Sequence, residues 1–246
     1  MNLILLRHGQ STWNLENRFT GWKDVSLTKT GVEEAKYSGK IILENQFNIQ
    51  SIYTSLLKRA TETTNIVAQI INYPKSQIKN DWRLNERHYG ALEGLNKSET
   101  AKTYGEEQVK IWRRSFDIPP PKLEKNDIRH PKNNNKFKNL ECVHPTGESL
   151  KDVISRLLPF LNNYFDFIRN NEGDHMIVAH SNSLRAIVKT LEGLSDTDII
   201  EVNIPTGVPL VYKLNNELNI IDKKYLIDEE TLKRKKAIVE NQGKIQ

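Results

Sequence analysis

Arg7-His8-Gly9 follows directly on the apolar run Leu3 to Leu6, so a histidine stands where a buried strand would end. An imidazole accepts a phosphoryl group when one ring nitrogen is held as a donor and the other keeps a free lone pair. A neighbouring guanidinium supplies the fixed fork that matches a phosphate. The same string is compatible with a turn carrying a surface histidine, and three residues do not choose between the two. A second histidine, His180, follows a second apolar run, Met176 to Ala179. Ligands of open α/β sheets gather at the carboxyl ends of the strands, so the pair is a sharper signal than either member.

Other side chains could serve an anion at the same end. Ser11, Thr12 and Asn14, then Arg18-Phe19-Thr20-Gly21-Trp22, bring hydroxyl, amide and backbone donors. Arg59 lies in Thr54 to Ala60, immediately behind the expected strand Ile49 to Tyr53. Glu86 sits in Leu84-Asn85-Glu86-Arg87-His88-Tyr89-Gly90, and Trp112-Arg113-Arg114 adds two guanidinium groups. Read singly, Arg59 is an exposed helix-start residue and Arg113-Arg114 a surface pair.

The elements that must position these groups alternate. Glu33 to Glu44, Ala60 to Ile71 and Leu150 to Ile168 show apolar spacing near one helical turn, the last with Thr146 and Glu148 near its start. Pro209 to Leu214 and Leu218 to Ile221, separated by Asn-Asn-Glu, read as a hairpin at the end of the sheet. The expected fold is an α/β three-layer sandwich with a mostly parallel central sheet flanked by helices. A single domain over 1–246 carries two excursions: a polar, lysine-rich stretch at about 119–146, after Pro119-Pro120-Pro121, and a tail at about 228–246. Long loops of the first kind are commonly lids or surface insertions, and both readings stand.

Composition narrows the function. The 246 residues are 37% hydrophobic and 27% charged, with a net charge of +5, which suits a globular chain with an anionic ligand. A nucleic acid is an anion too, but no helix-turn-helix, zinc-knuckle or aromatic-interleaved pattern accompanies the charge. No apolar stretch approaches the roughly 18 residues needed to span a membrane. Cys142 is the single cysteine, which excludes an internal disulfide and makes a cytoplasmic setting the expectation.

Taken together, these blocks resemble the cofactor-dependent phosphoglycerate mutases of the histidine phosphatase superfamily. The resemblance runs through Arg7 to Asn14, Asn17 to Trp22, Thr54 to Ala60, Leu84 to Gly90 and Gly94-Leu95-Asn96-Lys97. It continues in Trp112-Arg113-Arg114, Asn203-Ile204-Pro205-Thr206-Gly207 and Asn241-Gln242-Gly243-Lys244. It implies that His8 carries the phosphoryl group, Glu86 is general acid and base, and His180, Arg7 and Arg59 stabilise the group in transfer. The implied substrate-binding set is Arg7, His8, Gly9, Gln10, Ser11, Thr12, Trp13, Asn14, Thr20, Gly21, Arg59, Glu86, Arg87, His88, Tyr89, Lys97, Arg113, Arg114, Ser181 and Asn182. The implied reaction interconverts 3-phosphoglycerate and 2-phosphoglycerate, with 2,3-bisphosphoglycerate as primer and intermediate. No metal, nucleic acid or membrane partner is implied. The family includes more than one assembly state, so a homo-oligomer is allowed.

Two stretches depart from the family pattern. Ser181 replaces the glycine that normally follows the second histidine, where a side chain could crowd the phosphate or a positive φ. Cys142 to Ser149 also diverges, ahead of the long helix. Bisphosphoglycerate mutase or phosphatase activity on the same site, and a weakly active metabolite-binding protein, are the competing readings. The tail is expected either to close over the site, with Gly243 allowing a bend, or to be a frayed surface helix.

Overall fold

The computed structural model describes residues 1–142 and 144–245. Its elements in chain order are β1 (Asn2–Arg7), α1 (Thr12–Leu15), α2 (Lys29–Glu44), β2 (Ile49–Thr54), α3 (Lys58–Ile70), β3 (Lys79–Asn80), α4 (Lys97–Tyr104), α5 (Glu106–Arg114) and α6 (Leu150–Arg169). There follow β4 (Asp174–Ala179), α7 (Ser181–Glu192), α8 (Asp198–Glu201), β5 (Pro209–Leu214), β6 (Ile220–Tyr225) and α9 (Glu229–Asn241). Among the described residues the sheet order is β3-β2-β4-β1-β5-β6. β3, β2, β4 and β1 are mutually parallel, whereas β5 runs antiparallel to β1 and β6 antiparallel to β5.

Leu3 to Leu6 of β1 and Met176 to Ala179 of β4 are unbroken apolar runs because both faces of these strands are covered. Leu3, Leu5, Ile177 and Ala179 face α6 and α7, while Ile4, Leu6, Met176 and Val178 pack with Ile42 of α2 and Val67 and Ala68 of α3. The helices flank both sides of a mixed, mostly parallel sheet, as the alternating pattern predicts. Their boundaries follow local capping. Thr28 accepts from the Gly31 N–H and starts α2 at Lys29, ahead of the expected Glu33. Ser149 and Asp152 form the capping box of α6, so the start signal is Ser149 rather than Thr146 or Glu148.

The hairpin differs from expectation in its second strand. Leu218 has φ +66 and belongs to the turn, where the Asn215 side chain accepts from the Glu217 and Asn219 N–H groups. Pairing therefore resumes at Ile220 and continues to Tyr225.

The excursion after Pro119 contains one short 3-10 turn, Pro131–Asn133, yet buries Leu123 and Phe137. Phe137 meets the Trp22 ring edge-on at 5.1 Å. Val143, within the divergent stretch 142–149, and Gln246, at the end of the tail, lie outside the described residues.

Candidate active site

The β1·β4 register decides which residues meet. Arg7 pairs with Ala179, so the next residue of each chain segment, His8 and His180, emerges at the same end of adjacent parallel strands. Their ring centroids are 4.9 Å apart. The N-termini of α3 and α7 converge on this end, which turns unpaired backbone N–H groups and the positive ends of two helix dipoles toward it.

His8 is buried and held at three atoms. Its backbone N–H donates to the Ala179 carbonyl at 3.0 Å. Nδ1 lies 2.7 Å from the Gly9 carbonyl oxygen, which must be its acceptor, so Nδ1 carries the proton and Nε2 the lone pair. Arg59 donates its Nε–H to that Nε2 at 3.2 Å, which is consistent with the same tautomer. Burial, then the Arg59 and Arg7 charges, push the His8 imidazolium well below its ordinary range. The ring is therefore neutral near pH 7, with its lone pair at Nε2.

His180 is also buried, and burial together with Arg59 and His8 keeps it neutral. Its Nε2 lies 2.7 Å from Ser55 Oγ, which in turn accepts from the Leu57 N–H at 3.1 Å. Among the described residues its Nδ1 has no partner.

Arg59 is anchored from both sides of its guanidinium, to the Lys23 carbonyl at 3.0 Å and the Gly21 carbonyl at 2.9 Å. Arg7 donates to the Ile204 carbonyl at 2.8 Å, while its buried Nε has no partner among the described residues. Glu86 accepts at Oε1 from the Arg87 N–H at 2.7 Å and the Asn182 N–H, in the first turn of α7, at 3.2 Å. Its own carbonyl is gripped by Trp22 Nε1 at 2.6 Å and Arg156 at 3.0 Å. Arg156 is fixed by Glu148 at 2.7 Å, a buried ion pair that stiffens the Glu86 segment from behind.

A cleft opens over His8, lined by Arg7, Asn14, Arg18, Thr20, Arg59, Glu86, Tyr89, Lys97, Arg113, Arg114, Ser181, Asn182, Arg185, Val239 and Gln242. Seven arginine and lysine side chains thus face one carboxylate among the described residues. Burial and mutual repulsion lower the proton affinity of the buried ones: Arg59 to about 10, Arg113 and Arg185 to about 9, and Lys97 well below the usual lysine range. An anion entering the cleft relieves that repulsion and favours the charged form of Lys97. No cluster of three or more His, Cys, Asp or Glu that could hold a metal occurs among the described residues.

Several expected contact residues stand behind the cleft rather than on it. Gly9 packs on the backbone of Gly31, and a Cβ there would collide with the Gly31 carbonyl. Gln10 donates its N–H to Glu34 at 2.7 Å, and Ser11 caps α1 by accepting from the Asn14 N–H. Thr12 and Trp13 are half-buried in α1, with Trp13 against Gly94. Gly21 supplies the carbonyl that orients Arg59. Arg87 lies 4.8 Å over the Tyr89 ring and donates to the Arg113 carbonyl at 2.8 Å. His88 is buried, accepts at Nδ1 from the Gly90 N–H at 3.0 Å, and is lowered to about 3 chiefly by burial.

Arg18, expected only as part of its donor-bearing segment, reaches the cleft, and so does Arg185, which no expectation included. Arg185 follows Ser181 by one helical turn, and that spacing was the available signal. Ser181 occupies the first position of α7 and is absent from the positive-φ residues, so its backbone needs no glycine. The tail lies on the cleft: Lys97 Nζ donates to Gln242 Oε1 at 3.1 Å, and Gly243 has φ +89 beside Arg113. The described residues of the excursion after Pro119 contribute nothing to the cleft lining; Phe137 covers Trp22 and Leu57 instead.

The sequence matches the family model of the histidine phosphatase superfamily (branch 1) over residues 3–129 and 123–219. It is 51% identical over 243 residues to the 2,3-bisphosphoglycerate-dependent phosphoglycerate mutase of Hydrogenobaculum sp. (strain Y04AAS1), covering 98% of each chain. It is 48% identical over 248 residues to the enzyme of the same name from Lachnoclostridium phytofermentans (strain ATCC 700394 / DSM 18823 / ISDg), covering 100% of this chain and 99% of that one. Among solved structures, a mycobacterial glucosyl-3-phosphoglycerate phosphatase shares the fold with a TM-score of 0.67 at 19% identity, over 91% of this chain and 96% of its own. YhfR of Bacillus stearothermophilus gives 0.63 at 25% identity, over 87% of this chain and 91% of its own.

Proposed function

The chain belongs to the histidine phosphatase superfamily (branch 1), and we infer that within it the protein is an isomerase that interconverts 3-phosphoglycerate and 2-phosphoglycerate. The observation that carries this reading is the neutral His8, its Nε2 lone pair held beside Arg59 under a cleft of seven cations and one carboxylate.

2,3-Bisphosphoglycerate, when bound, supplies the phosphoryl group that primes His8. The residues present fit so anionic a molecule, because the buried Arg7 Nε and His180 Nδ1 have donor capacity that no described protein group uses. His8 Nε2 is the nucleophile, since Nδ1–H is engaged by Gly9 and the Nε2 lone pair bonds phosphorus once the Arg59 Nε–H turns from it to a phosphoryl oxygen. Arg59, Arg7 and His180 meet the equatorial oxygens, where charge accumulates in a loose phosphoryl-transfer transition state. These donors are already oriented, so little reorganisation is needed during transfer.

Glu86 takes the proton of the substrate hydroxyl as that oxygen bonds phosphorus and returns it in the reverse step. Anchoring of Oε1 by two backbone N–H groups leaves Oε2 for this task. Lys97, Arg113 and Arg114, with Asn14, Thr20, Tyr89, Ser181 and Asn182, hold the carboxylate and the second phosphate. Seven cations retain a doubly phosphorylated acid while it turns over, and Val239 and Gln242 help keep water out. Gly9, Gln10, Ser11, Thr12, Trp13, Gly21, Arg87 and His88 act as supports for these groups.

Incubation of the protein with 2,3-bisphosphoglycerate at mildly alkaline pH, followed by peptide mass spectrometry, is expected to find phosphate on His8. A coupled assay is expected to show 2-phosphoglycerate formed from 3-phosphoglycerate. Release of inorganic phosphate without 2-phosphoglycerate would sink the isomerase reading in favour of a phosphatase.

A further inference from the structure

The tail that lines the cleft is tied to the protein on two sides. On one side it meets α4 and α5: Lys97 bonds Gln242 at 3.1 Å, Ser98 Oγ donates to the Lys244 carbonyl at 3.0 Å, and the Ile245 N–H donates to Glu106 at 2.6 Å. On the other side stand two lysines of α9: Lys236 lies 4.7 Å over the Tyr225 ring of β6, and its neighbour makes an ion pair. Lys235, in the middle of α9, places Nζ 2.6 Å from Glu34 Oε1 and 3.4 Å from the Thr206 carbonyl.

Glu34 serves the nucleophile loop with the same carboxylate. Its Oε2 accepts the Gln10 N–H at 2.7 Å, two residues beyond His8, and its Oε1 also accepts from Thr206 Oγ1 at 3.0 Å. Thr206 adjoins Gly207, whose N–H donates to the Arg7 carbonyl at 3.0 Å. One partly buried carboxylate, its side chain 14% exposed, therefore joins α9, the loop after His8 and the turn beneath Arg7. Lys235 is 24% exposed and ends four residues before Val239, which faces the cleft.

We propose that Lys235 is a positioning residue: its ion pair with Glu34 registers the tail against the phosphohistidine loop, and so limits attack of water on the phosphoryl group carried by His8. This rests on the isomerase reading above. In the reaction limited by the contact, a water oxygen bonds phosphorus as the P–Nε2 bond breaks, the neutral imidazole is regained and inorganic phosphate leaves. Lys235 touches neither substrate nor the reacting atoms. Its influence passes through the seating of α9, which carries Val239 and Gln242.

The test compares wild type with Lys235→Gln and Lys235→Arg, each primed on His8 with 2,3-bisphosphoglycerate and freed of excess ligand. The lifetime of the phosphoenzyme is then followed, alongside tryptic cleavage within residues 233–244. Lys235→Gln is expected to accept phosphate normally but lose it roughly threefold to tenfold faster, the size expected for one partly buried charge-assisted bond. Its tail should also be cut sooner, and Lys235→Arg should restore both readouts. Phosphate uptake with equal lifetimes and equal cleavage in wild type and Lys235→Gln would overturn this inference alone. Failure of wild-type His8 to take up phosphate would overturn the isomerase reading and the inference with it.

Discussion

Replacing Arg59 by lysine separates charge from geometry at His8. Arg59 stays a cation at neutral pH, being lowered only to about 10, so Arg59→Lys preserves the sign of the site. It removes the fork that reaches His8 Nε2, the Lys23 carbonyl and the Gly21 carbonyl from one rigid plane, at 3.2, 3.0 and 2.9 Å. An ammonium on a flexible stem recovers about one of these bonds. The two bonds to carbonyls are charge-assisted, that to Gly21 buried and that to Lys23 partly buried, worth about 1.5–3 kcal/mol each, so the net loss of stability should be about 2–3 kcal/mol after partial recovery. For a chain of this size that lowers Tm by roughly 4–12 °C. Loss of an aligned donor to the transferring phosphoryl group should lower kcat about 10²- to 10³-fold. Rapid-quench measurement of phosphate uptake on His8, with kcat and KM from a coupled assay and Tm from calorimetry, reads all three effects. A variant that keeps kcat within tenfold of wild type while KM rises would refute the reasoning, because Arg59 would then be binding ground and transition states equally.

Gly9→Ala should fail to fold stably or lose phosphate uptake, since its Cβ meets the backbone carbonyl of Gly31 rather than a side chain that can yield; a Tm within 2 °C of wild type, on the order of 1 kcal/mol, would contradict the close approach. Stability should fall on acidification from pH 7 to 5. His88 is lowered to about 3 in the folded chain against 6.5 for the free group, so below 6.5 the unfolded state takes up a proton that the folded state refuses. The contribution is fully present above about 6.5 and shrinks toward pH 3; His8 and His180 act with the same sign. Glu93, raised to about 7 by burial, opposes them, because its folded form holds a proton that the unfolded chain loses between 4.5 and 7. Three histidines against one carboxyl make the net slope positive with pH, and a urea midpoint that is flat or higher at pH 5 would reverse that balance. Deleting residues 242–246 removes the Gln242 contact with Lys97 and should raise phosphate release relative to 2-phosphoglycerate formation severalfold; an unchanged ratio in a coupled assay would count against a water-excluding tail.

Much of this molecule was legible before any coordinates, and the physical reason differs by feature. Leu3 to Leu6 and Met176 to Ala179 read as doubly covered strands because burial on both faces removes the alternation of a one-sided strand. The histidines behind them stood out as a pair at strand ends, whereas Glu86, Arg59 and the Arg113-Arg114 pair gained their expected roles only through the family resemblance. Helix starts were less legible, since a cap such as Thr28 or Ser149 is a single side-chain bond outside the hydrophobic period.

What tertiary structure alone decided is which of those residues share a surface. Strand order put β4 beside β1 although β2 lies between them in the chain, and only the register of Arg7 with Ala179 brings His8 to His180. Within the contiguous block Arg7 to Asn14, the chain turns so that Arg7, His8 and Asn14 line the cleft while Gly9 and Gln10 face α2. Neighbours in sequence point to opposite sides of a turn, and no pattern of residue types reveals which side the substrate takes. The same holds for Lys235 and Glu34, separated by 200 intervening residues and joined at 2.6 Å. Motifs in the sequence, through the family they resemble, pointed to phosphoryl chemistry, because a motif preserves residue types; packing alone decided which of those side chains line the cleft and which stand behind it.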